Sequence, residues 1–260
     1  MGDVLEPDLE ALIVRLVRPK RRAVPGLADA FRDADVITLQ TAGGDVRAWR
    51  IGEGPAVLLV HGWEDDHTLW APMIAALMKQ DHAVVAFDLP GHGQSPESDV
   101  TQFTASIAVR AVAEQLGPIS AIVAHSFGCA AAAWALAQGL DVDRVVMISS
   151  PAPRGEGRGR RYVDRGEVTE ELFQRAVGLY ETRTGSRFGG FDFYAVAPKL
   201  NAKALFIHSS DDDQCPIGRA EQVAALWPGA IFKTTNGLGH RRIAQAPETI
   251  DWTTAFLDPI

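Results

Sequence analysis

The sequence predicts an α/β fold in which a mostly parallel, doubly wound sheet of eight strands carries helices on both faces. Three observations lead to this prediction. From residue 56 onward, short apolar runs alternate with helical stretches, as in repeated β-α-β units. The run at 56–60 is apolar at every position, which is typical of a strand covered on both faces. Gly43, Gly44 and Asp45 join two runs of alternating polarity, which indicates an antiparallel hairpin at one sheet edge.

The predicted elements divide the chain into a core, an N-terminal extension and an insertion. Residues 35–149 and 201–260 form the α/β core, and residues 1–34 form a helical extension before it. Residues 150–200 interrupt the alternation with glycines, arginines and aromatic residues, so we expect a small lid inserted after the sixth strand. Strands are predicted at 35–40, 45–51, 56–60, 83–87, 119–124, 144–149, 204–208 and 230–234, and helices near 8–18, 68–79, 101–116, 127–138, 169–182, 217–227 and 241–257.

Length and composition favour one globular domain with an insertion. At 260 residues, with 47% apolar and 22% charged residues, the chain is able to bury a large core. The net charge of −8 gives no reason to expect nucleic acid, which binds clustered basic surfaces. The two cysteines lack metal-ligand spacing, so we expect neither a disulfide framework nor a metal site. Without a long apolar run or a secretory pattern, we expect no stable membrane insertion and a cytoplasmic location.

The N-terminal helix has two readings. Residues 8–18 have apolar positions at helical spacing, and the basic run at 19–22 begins with Pro19, which ends the helical pattern. In the first reading the helix packs on the edge of the domain. In the second its apolar face contacts a membrane surface. The sequence leaves both readings open.

The most informative stretch is a predicted strand that turns directly into a helix around Ser126. The strand at 119–124 is rich in β-branched residues, and the helix at 127–138 is rich in alanine. Ala124 and Gly128 are small enough to let the strand and the helix approach closely. Such a turn strains the backbone and lifts the Ser126 hydroxyl above the sheet, at a helix N-terminus that favours a developing anion. The stretch resembles the nucleophile elbow of the α/β-hydrolase superfamily, with Ala124 in place of the first glycine of G-x-S-x-G.

A serine nucleophile needs a base and a carboxylate, and both follow later predicted strands. His240 stands in a glycine-bearing loop after the last strand, and three consecutive aspartates at 211–213 follow the strand before it. The aspartate loop is similar to the acid loop of the family, where the acid commonly stands four residues before a proline. Pro216 thus selects Asp212, with its two neighbours as alternatives. The chain order of Ser126, Asp212 and His240 is that of α/β hydrolases.

A third loop bears on the stabilisation of an oxyanion. His61, Gly62 and Trp63 follow the strand at 56–60 and resemble the H-G-x loop of the family. The resemblance implies that the main-chain N–H groups of Trp63 and Phe127 hold the oxyanion. His61 is then a structural hydrogen-bonding residue rather than a base, and the Trp63 ring lines either the pocket or the core.

The other histidines are poorer candidates for the base. His125 precedes Ser126 and should project away from it at the turn. His208 ends a predicted strand. His67 and His82 are predicted to lie in surface loops.

The resemblance implies a serine hydrolase that cleaves carboxylic esters or related acyl bonds through an acyl-enzyme. Ser126 would attack, His240 would act as the base, and Asp212 would orient His240. A thioesterase, a lactonase, a C–C bond hydrolase, a haloperoxidase-like enzyme and an acyltransferase use the same triad and stay open, as does a non-catalytic binding module of the same fold. The glycine-bearing loops of the sequence do not match G-x-G-x-x-G at a helix start, so we expect no nicotinamide, flavin or other cofactor.

The predicted lid carries the features that bear on the substrate. Its aromatic residues favour a small-molecule ester or acyl substrate with an apolar group of modest size. Its arginines either steer an anionic substrate or form a solvated basic loop, and the sequence leaves both readings open. The acyl chain length and the formation of a homodimer are open as well. The arginines are Arg154, Arg158, Arg160, Arg161 and Arg165.

Overall fold

A computed structural model describes residues 7–21, 29–154 and 159–258, which are built around one eight-stranded sheet. The strands are β1 (Asp35–Leu39), β2 (Val46–Ile51), β3 (Ala56–Val60), β4 (Ala83–Asp88), β5 (Ile119–His125), β6 (Arg144–Ile148), β7 (Lys203–Ser209) and β8 (Ile231–Thr235). They lie in the order β1-β2-β4-β3-β5-β6-β7-β8. β1 pairs with β2 and β2 pairs with β4 in antiparallel fashion. All other neighbouring strands are parallel. The predicted mostly parallel, doubly wound sheet is confirmed.

Helices cover both faces of this sheet. The α-helices of the described residues are α1 (Pro7–Val17), α2 (Ala71–Met78), α3 (Gln102–Leu116), α4 (Phe127–Ala137), α5 (Arg160–Asp164), α6 (Glu170–Thr184), α7 (Phe193–Val196), α8 (Ile217–Leu226), α9 (Gly239–Arg242) and α10 (Pro247–Leu257). Because successive strand residues point to opposite faces, β3 contributes to two separate cores. Leu58 and Val60 pack with α3 and α4, whereas Val57 and Leu59 pack with α2 and α10.

The sheet brings distant parts of the chain to one edge. The six parallel strands point the same way, so the loops that follow them meet at their carboxyl ends, where α/β folds bind ligands. The loop after β3 carries Trp63, and the turn after β5 carries Ser126. The loops after β7 and β8 carry Asp212 and His240.

Helix boundaries differ from the prediction in three places. The final helix predicted at 241–257 is divided, because Pro247 has no N–H to donate and begins α10 as a new helix. The helix predicted at 68–79 begins as a 3₁₀ turn, His67–Trp70, before α2. The insertion contains a short helix, α5, before the helix predicted at 169–182.

The N-terminal helix packs against the insertion. Leu9, Leu12 and Leu16 of α1 are buried in a cluster with Phe173 and Tyr180 of α6. Among the described residues, no strand residue belongs to this cluster, so α1 and α6 share a small core of their own. The apolar face of α1 is therefore covered, and its partner is the insertion rather than the edge of the sheet. Within the described ranges, no helix is both long and apolar enough to cross a bilayer.

The insertion lies between β6 and β7 and contains α5, α6 and α7. Phe191 and Phe193 anchor its last part in the main core, where Phe191 stacks on Trp134 with ring centroids 5.3 Å apart. The first part packs on α1 instead. The insertion is thus attached to the rest of the chain at two separate places. Its action as a lid stays a prediction.

Candidate active site

Ser126 occupies a strained turn between β5 and α4. Its φ of 51° and ψ of −122° lie in a region that residues with a side chain rarely adopt. A Cβ atom on Gly128 would lie 2.5 Å from the main-chain oxygens of Val60 and His61. Only glycine therefore fits where the start of α4 approaches the end of β3. The strain falls on the residue whose hydroxyl the sequence predicts to react.

Three of the predicted site residues form one hydrogen-bonded chain. His240 Nε2 lies 2.8 Å from Ser126 Oγ, and His240 Nδ1 lies 2.8 Å from Asp212 Oδ2. A carboxylate only accepts hydrogen bonds, so Nδ1 carries the imidazole proton. Nε2 is therefore the basic nitrogen, and it accepts a hydrogen bond from the Ser126 hydroxyl. This arrangement is able to transfer a proton from the serine to the imidazole.

Asp212 is held in place by several donors. The main-chain N–H groups of Gln214 and Cys215 each donate to Oδ1 at 2.9 Å, and His208 Nε2 lies 3.3 Å from Oδ2. Burial by itself raises the pKa of this carboxyl group. The hydrogen bonds from His208, His240 and Cys215 outweigh burial and hold the pKa of Asp212 well below its ordinary value. Asp212 is therefore a carboxylate near neutral pH.

The neighbouring aspartates have other positions. Asp211 Oδ1 accepts the main-chain N–H groups of Gly237 and Gly239, at 3.0 and 3.1 Å. Hydrogen bonds from Ser209 and from these two glycines lower the pKa of Asp211. Asp213 is exposed. Of the three aspartates, Asp212 reaches the imidazole, while Asp211 connects the loop after β7 to the loop after β8.

His125 contacts the site in a way that the sequence does not predict. Its Nε2–H donates to the main-chain oxygen of His240 at 2.8 Å, and its Nδ1 lies 3.7 Å from Asp65 Oδ2. Asp65 is also paired with Arg241. Burial, followed by the charge of His240, lowers the pKa of His125 to about 3, so the ring is neutral. The sequence shows that His125 is next to Ser126, but it does not show that the partner of His125 is the main-chain oxygen of His240.

The prediction that His67 lies in a surface loop is wrong. The side chain is fully buried, and its ring stacks on Trp49 with centroids 3.7 Å apart. His67 Nδ1 donates to Asp88 at 3.0 Å, which ties the 3₁₀ turn before α2 to the end of β4. His61 has a similar structural position, since its Nε2 accepts the main-chain N–H of Leu89 at 2.9 Å. These two histidines fix loops rather than contact Ser126.

A cavity of about 540 Å³ opens onto Ser126. Trp63 and Phe127 both line it, and their rings meet edge to face with centroids 5.4 Å apart. Phe127 is the first residue of α4, where main-chain N–H groups have no acceptor within the helix. The Trp63 ring lies at the cavity wall and also packs against the core. The other lining residues are Gln102, Ser150, Pro151, Ala152, Pro153, Arg154, Arg160, Arg161, Asp164, Tyr194, Gln214, Cys215, Pro216, Arg219 and Gln222.

The arginines of the insertion fall into different groups. Arg154, Arg160 and Arg161 line the cavity. Arg165 is exposed and is not part of the lining. Arg158 lies outside the described residues. Part of the basic segment therefore lines the cavity that contains Ser126, a placement that the sequence leaves open.

The described parts of the chain contain no group of three or more histidine, cysteine or acidic side chains placed to hold a metal ion. The two cysteines are free thiols, Cys129 buried and Cys215 half-buried. Burial is the main cause that raises the pKa of both thiols. Neither thiol is therefore a strong nucleophile near neutral pH.

Sequence comparison finds a family model and several relatives. The model of the alpha/beta hydrolase family matches residues 57–251. An uncharacterized protein of Mycobacterium tuberculosis is 39% identical over 126 residues, which cover 46% of this chain and 37% of that protein. A pimeloyl-[acyl-carrier protein] methyl ester esterase of Xanthomonas axonopodis pv. citri is 28% identical over 238 residues, or 73% of this chain and 89% of that protein. The chain spans only 37% to 40% of the length of the first curated relatives that it matches.

Solved structures share the fold. An esterase of Pyrococcus furiosus superposes with a TM-score of 0.70 at 19% identity, covering 93% of this chain and 98% of that one. A likeness at this identity concerns the fold alone. The family model, by contrast, matches most of the chain, from β3 into α10, and includes the loops that carry Ser126, Asp212 and His240. The chain therefore belongs to the α/β hydrolase family.

Proposed function

We propose that this chain is a serine hydrolase that cleaves carboxylic esters or related acyl bonds through an acyl-enzyme. The observation that carries the proposal is the chain of hydrogen bonds from Ser126 through His240 to Asp212, with 2.8 Å at each contact. Ser126, at one end of these hydrogen bonds, lies at the wall of a cavity large enough for a small molecule. The similar protein of Xanthomonas axonopodis pv. citri is described as a methyl ester esterase, which supports an ester as the substrate.

In the first half of the reaction, Ser126 Oγ attacks the carbonyl carbon of the substrate. His240 Nε2 takes the hydroxyl proton as the new C–O bond forms. The imidazolium then carries two protons, and the carboxylate of Asp212 stabilises its charge. When the tetrahedral intermediate collapses, Nε2 gives its proton to the leaving alcohol, and the acyl group stays on Ser126.

The tetrahedral intermediate carries a negative charge on the former carbonyl oxygen. We assign its stabilisation to the main-chain N–H groups of Phe127 and Trp63, both of which line the cavity beside Ser126. The start of α4 adds the partial positive charge of a helix N-terminus. Donors of this kind typically contribute about 10²–10³ in turnover each, because they bind charge that develops in the transition state.

In the second half, water replaces the alcohol. His240 Nε2 takes a proton from the water molecule, whose oxygen attacks the acyl carbon, and then returns that proton to Ser126 Oγ. The acid leaves, and the enzyme is restored without a cofactor. The apolar wall of the cavity, formed by Phe127, Pro151 and Ala152, suits an apolar group of the substrate.

The proposal is tested by the turnover of short p-nitrophenyl esters and by labelling with a fluorophosphonate. We expect the wild type to hydrolyse the esters and to take one label per chain at Ser126. Ser126→Ala should lose both properties. Ser150→Ala removes another serine that lines the same cavity and serves as the matched control, which should keep the label. A wild type without turnover and without label would contradict the proposal and favour a binding module of this fold.

A further inference from the structure

The cavity that contains Ser126 has a strongly cationic lining. Four arginines line it, whereas Asp164 is the one carboxylate among its described lining residues. The chain as a whole carries a net charge of −8. The described lining of the cavity is therefore positively charged, although the chain as a whole is negatively charged. The four arginines are Arg154, Arg160, Arg161 and Arg219.

Two of these arginines are already engaged by groups of the insertion. Arg160 donates to Asp164 at 3.0 Å and to Glu170 at 2.5 Å. The guanidinium group of Arg154 lies 3.9 Å from the ring centroid of Tyr194. Their charge is thus partly used to hold the insertion together.

The other two arginines are available to a ligand. Neither Arg161 nor Arg219 forms an ion pair with a carboxylate in the described parts of the chain. The Arg161 guanidinium group lies 5.2 Å from the ring centroid of Tyr162, and its Nη2 makes a long contact of 3.4 Å with the Tyr162 hydroxyl. Arg161 Nε is buried without a hydrogen-bond partner in the described ranges. A buried donor without an acceptor costs free energy, so this atom indicates a site for an acceptor from outside the chain.

Arg161 and Arg219 line the same cavity as Ser126 and Cys215. Burial raises the pKa of the Cys215 thiol to about 12, and the positive charges of Arg161 and Arg219 act on that thiol in the opposite direction. Cys215 itself lines the cavity with Ser126, and its main-chain N–H holds Asp212. An anion bound by the two arginines would therefore lie in the same cavity as the bond that Ser126 attacks.

We propose that Arg161 and Arg219 bind an anionic group, a carboxylate or a phosphate, carried by the substrate of Ser126. This inference rests on the proposed function and names its substrate class: an ester or related acyl compound with an apolar segment and a charged end. Guanidinium groups suit this role because they stay protonated and bind two acceptor oxygens at once. Of the two readings left open by the sequence, the steering of an anionic substrate is the one that the cavity favours.

The first experiment compares matched esters. The p-nitrophenyl half-ester of adipate carries a free carboxylate, whereas p-nitrophenyl hexanoate and the methyl-capped adipate ester are neutral and of similar length. We expect the ratio of kcat/KM for the charged ester to that for the neutral esters to be about 10 or more, because charge-assisted hydrogen bonds contribute roughly this factor. A ratio near 1 in the wild type would overturn the inference while leaving the proposed function intact.

The second experiment assigns the preference to residues. Arg161→Gln and Arg219→Gln should each lower this ratio about 10-fold. Arg219 is exposed on α8, so its replacement leaves the core untouched. Arg165→Gln is the matched control, since Arg165 belongs to the same insertion but does not line the cavity. An equal loss in Arg165→Gln, or an unchanged ratio in both cavity variants, would overturn the inference.

A third experiment does not depend on turnover. Calorimetry measures the binding of hexanoate, hexyl phosphate and neutral hexanol to the wild type and to Arg161→Gln and Arg219→Gln. We expect at least one anion to bind more tightly than hexanol in the wild type, with the advantage lost in both variants. The stronger of the two anions identifies the carboxylate or the phosphate as the natural group. Equal binding of all three compounds would overturn the inference even if no ester were hydrolysed.

Discussion

At the scale of single residues, the candidate site depends on the position of a few protons. Asp212 accepts the Nδ1 proton of His240 and thereby leaves Nε2 free to accept from Ser126. An asparagine at position 212 would keep the size of the side chain but could donate its own N–H to Nδ1. The imidazole would then carry its proton on Nε2 and could no longer act as the base.

We therefore expect Asp212→Asn to lower kcat for ester hydrolysis by about 10³- to 10⁴-fold with an unchanged fold. Steady-state kinetics on a p-nitrophenyl ester measures the loss, and circular dichroism checks the fold. Asp213→Asn is the matched control, because Asp213 is an exposed neighbour in the same loop. Its kcat should stay within about 2-fold of the wild type. A loss below about 10-fold in Asp212→Asn would mean that Asp212 does not set the tautomer.

The sequence predicts some of these residues and misses others for a physical reason. Ser126, Asp212 and His240 each follow a strand that is recognisable from its apolar run, so their meeting at one sheet edge is predictable. The contact of His125 is different, because it joins a side chain to a main-chain oxygen 115 positions away. A backbone carbonyl carries no mark in the sequence, so such a contact becomes visible only in the folded chain.

At the scale of elements, the turn between β5 and α4 depends on Gly128. The start of α4 lies so close to the end of β3 that a Cβ atom would meet two main-chain oxygens at 2.5 Å. Main-chain atoms of a central strand have little freedom to move. The closeness of this contact fixes the height of Ser126 above the sheet.

Gly128→Ala should therefore lower the free energy of unfolding by about 2 kcal/mol or more, and it should also reduce ester turnover. Urea unfolding measures the first effect. Gly178→Ala makes the same change in the exposed part of α6, where nothing lies within 4 Å of the added Cβ. There we expect a gain of about 0.5–1 kcal/mol, since alanine is the better helix former. Equal effects at the two positions would refute the role of the close contact.

The packing of α1 on α6 was not predictable from either segment alone. The spacing of apolar residues at 8–18 indicates a helix with one apolar face, but both an edge of the domain and a membrane surface would accept such a face. Its partner is the helix of the insertion that carries Phe173 and Tyr180, which is more than 150 residues away in the sequence. In the structure, Leu12 of α1 is buried against α6, whereas Val14 of the same helix is 44% exposed.

Leu12→Ala should therefore cost about 2–3 kcal/mol of unfolding free energy, or should unfold α1 and α6 before the rest of the chain. Urea unfolding followed by circular dichroism distinguishes these outcomes. One transition at lower urea indicates a loss of overall stability, whereas a separate early transition indicates that α1 and α6 unfold first. Val14→Ala is the control on the exposed side of α1, and we expect a change within about 0.5 kcal/mol. If the two variants were equally stable, α1 would not owe its position to this cluster.

At the scale of the whole molecule, the fold buries neutral histidines that would be charged in the unfolded chain at mildly acidic pH. Burial, followed by the charge of His240, lowers the pKa of His125 from 6.5 to about 3. Burial also lowers the pKa of His61, although the nearby Asp88 opposes this effect. Between about pH 6.5 and about pH 3, His125 binds a proton in the unfolded chain but not in the folded chain, so the free energy of unfolding depends on pH.

The sign follows from the direction of these shifts. The free energy of unfolding should fall as the pH falls below about 6.5, by about 1.4 kcal/mol per pH unit for His125, and His61 should add to the fall in the same direction. Near the ordinary carboxyl range, Asp212 adds to the loss, since hydrogen bonds keep its folded pKa low against the opposing effect of burial. Urea unfolding between about pH 7 and pH 4 measures the slope. His125→Gln keeps an N–H donor for the main-chain oxygen of His240 but cannot titrate. It should therefore reduce the slope of the unfolding free energy by about 1.4 kcal/mol per pH unit, which corresponds to one proton. A variant with the slope of the wild type would show that His125 is protonated in the folded chain, and the neutral ring assigned to it beside His240 would then be wrong.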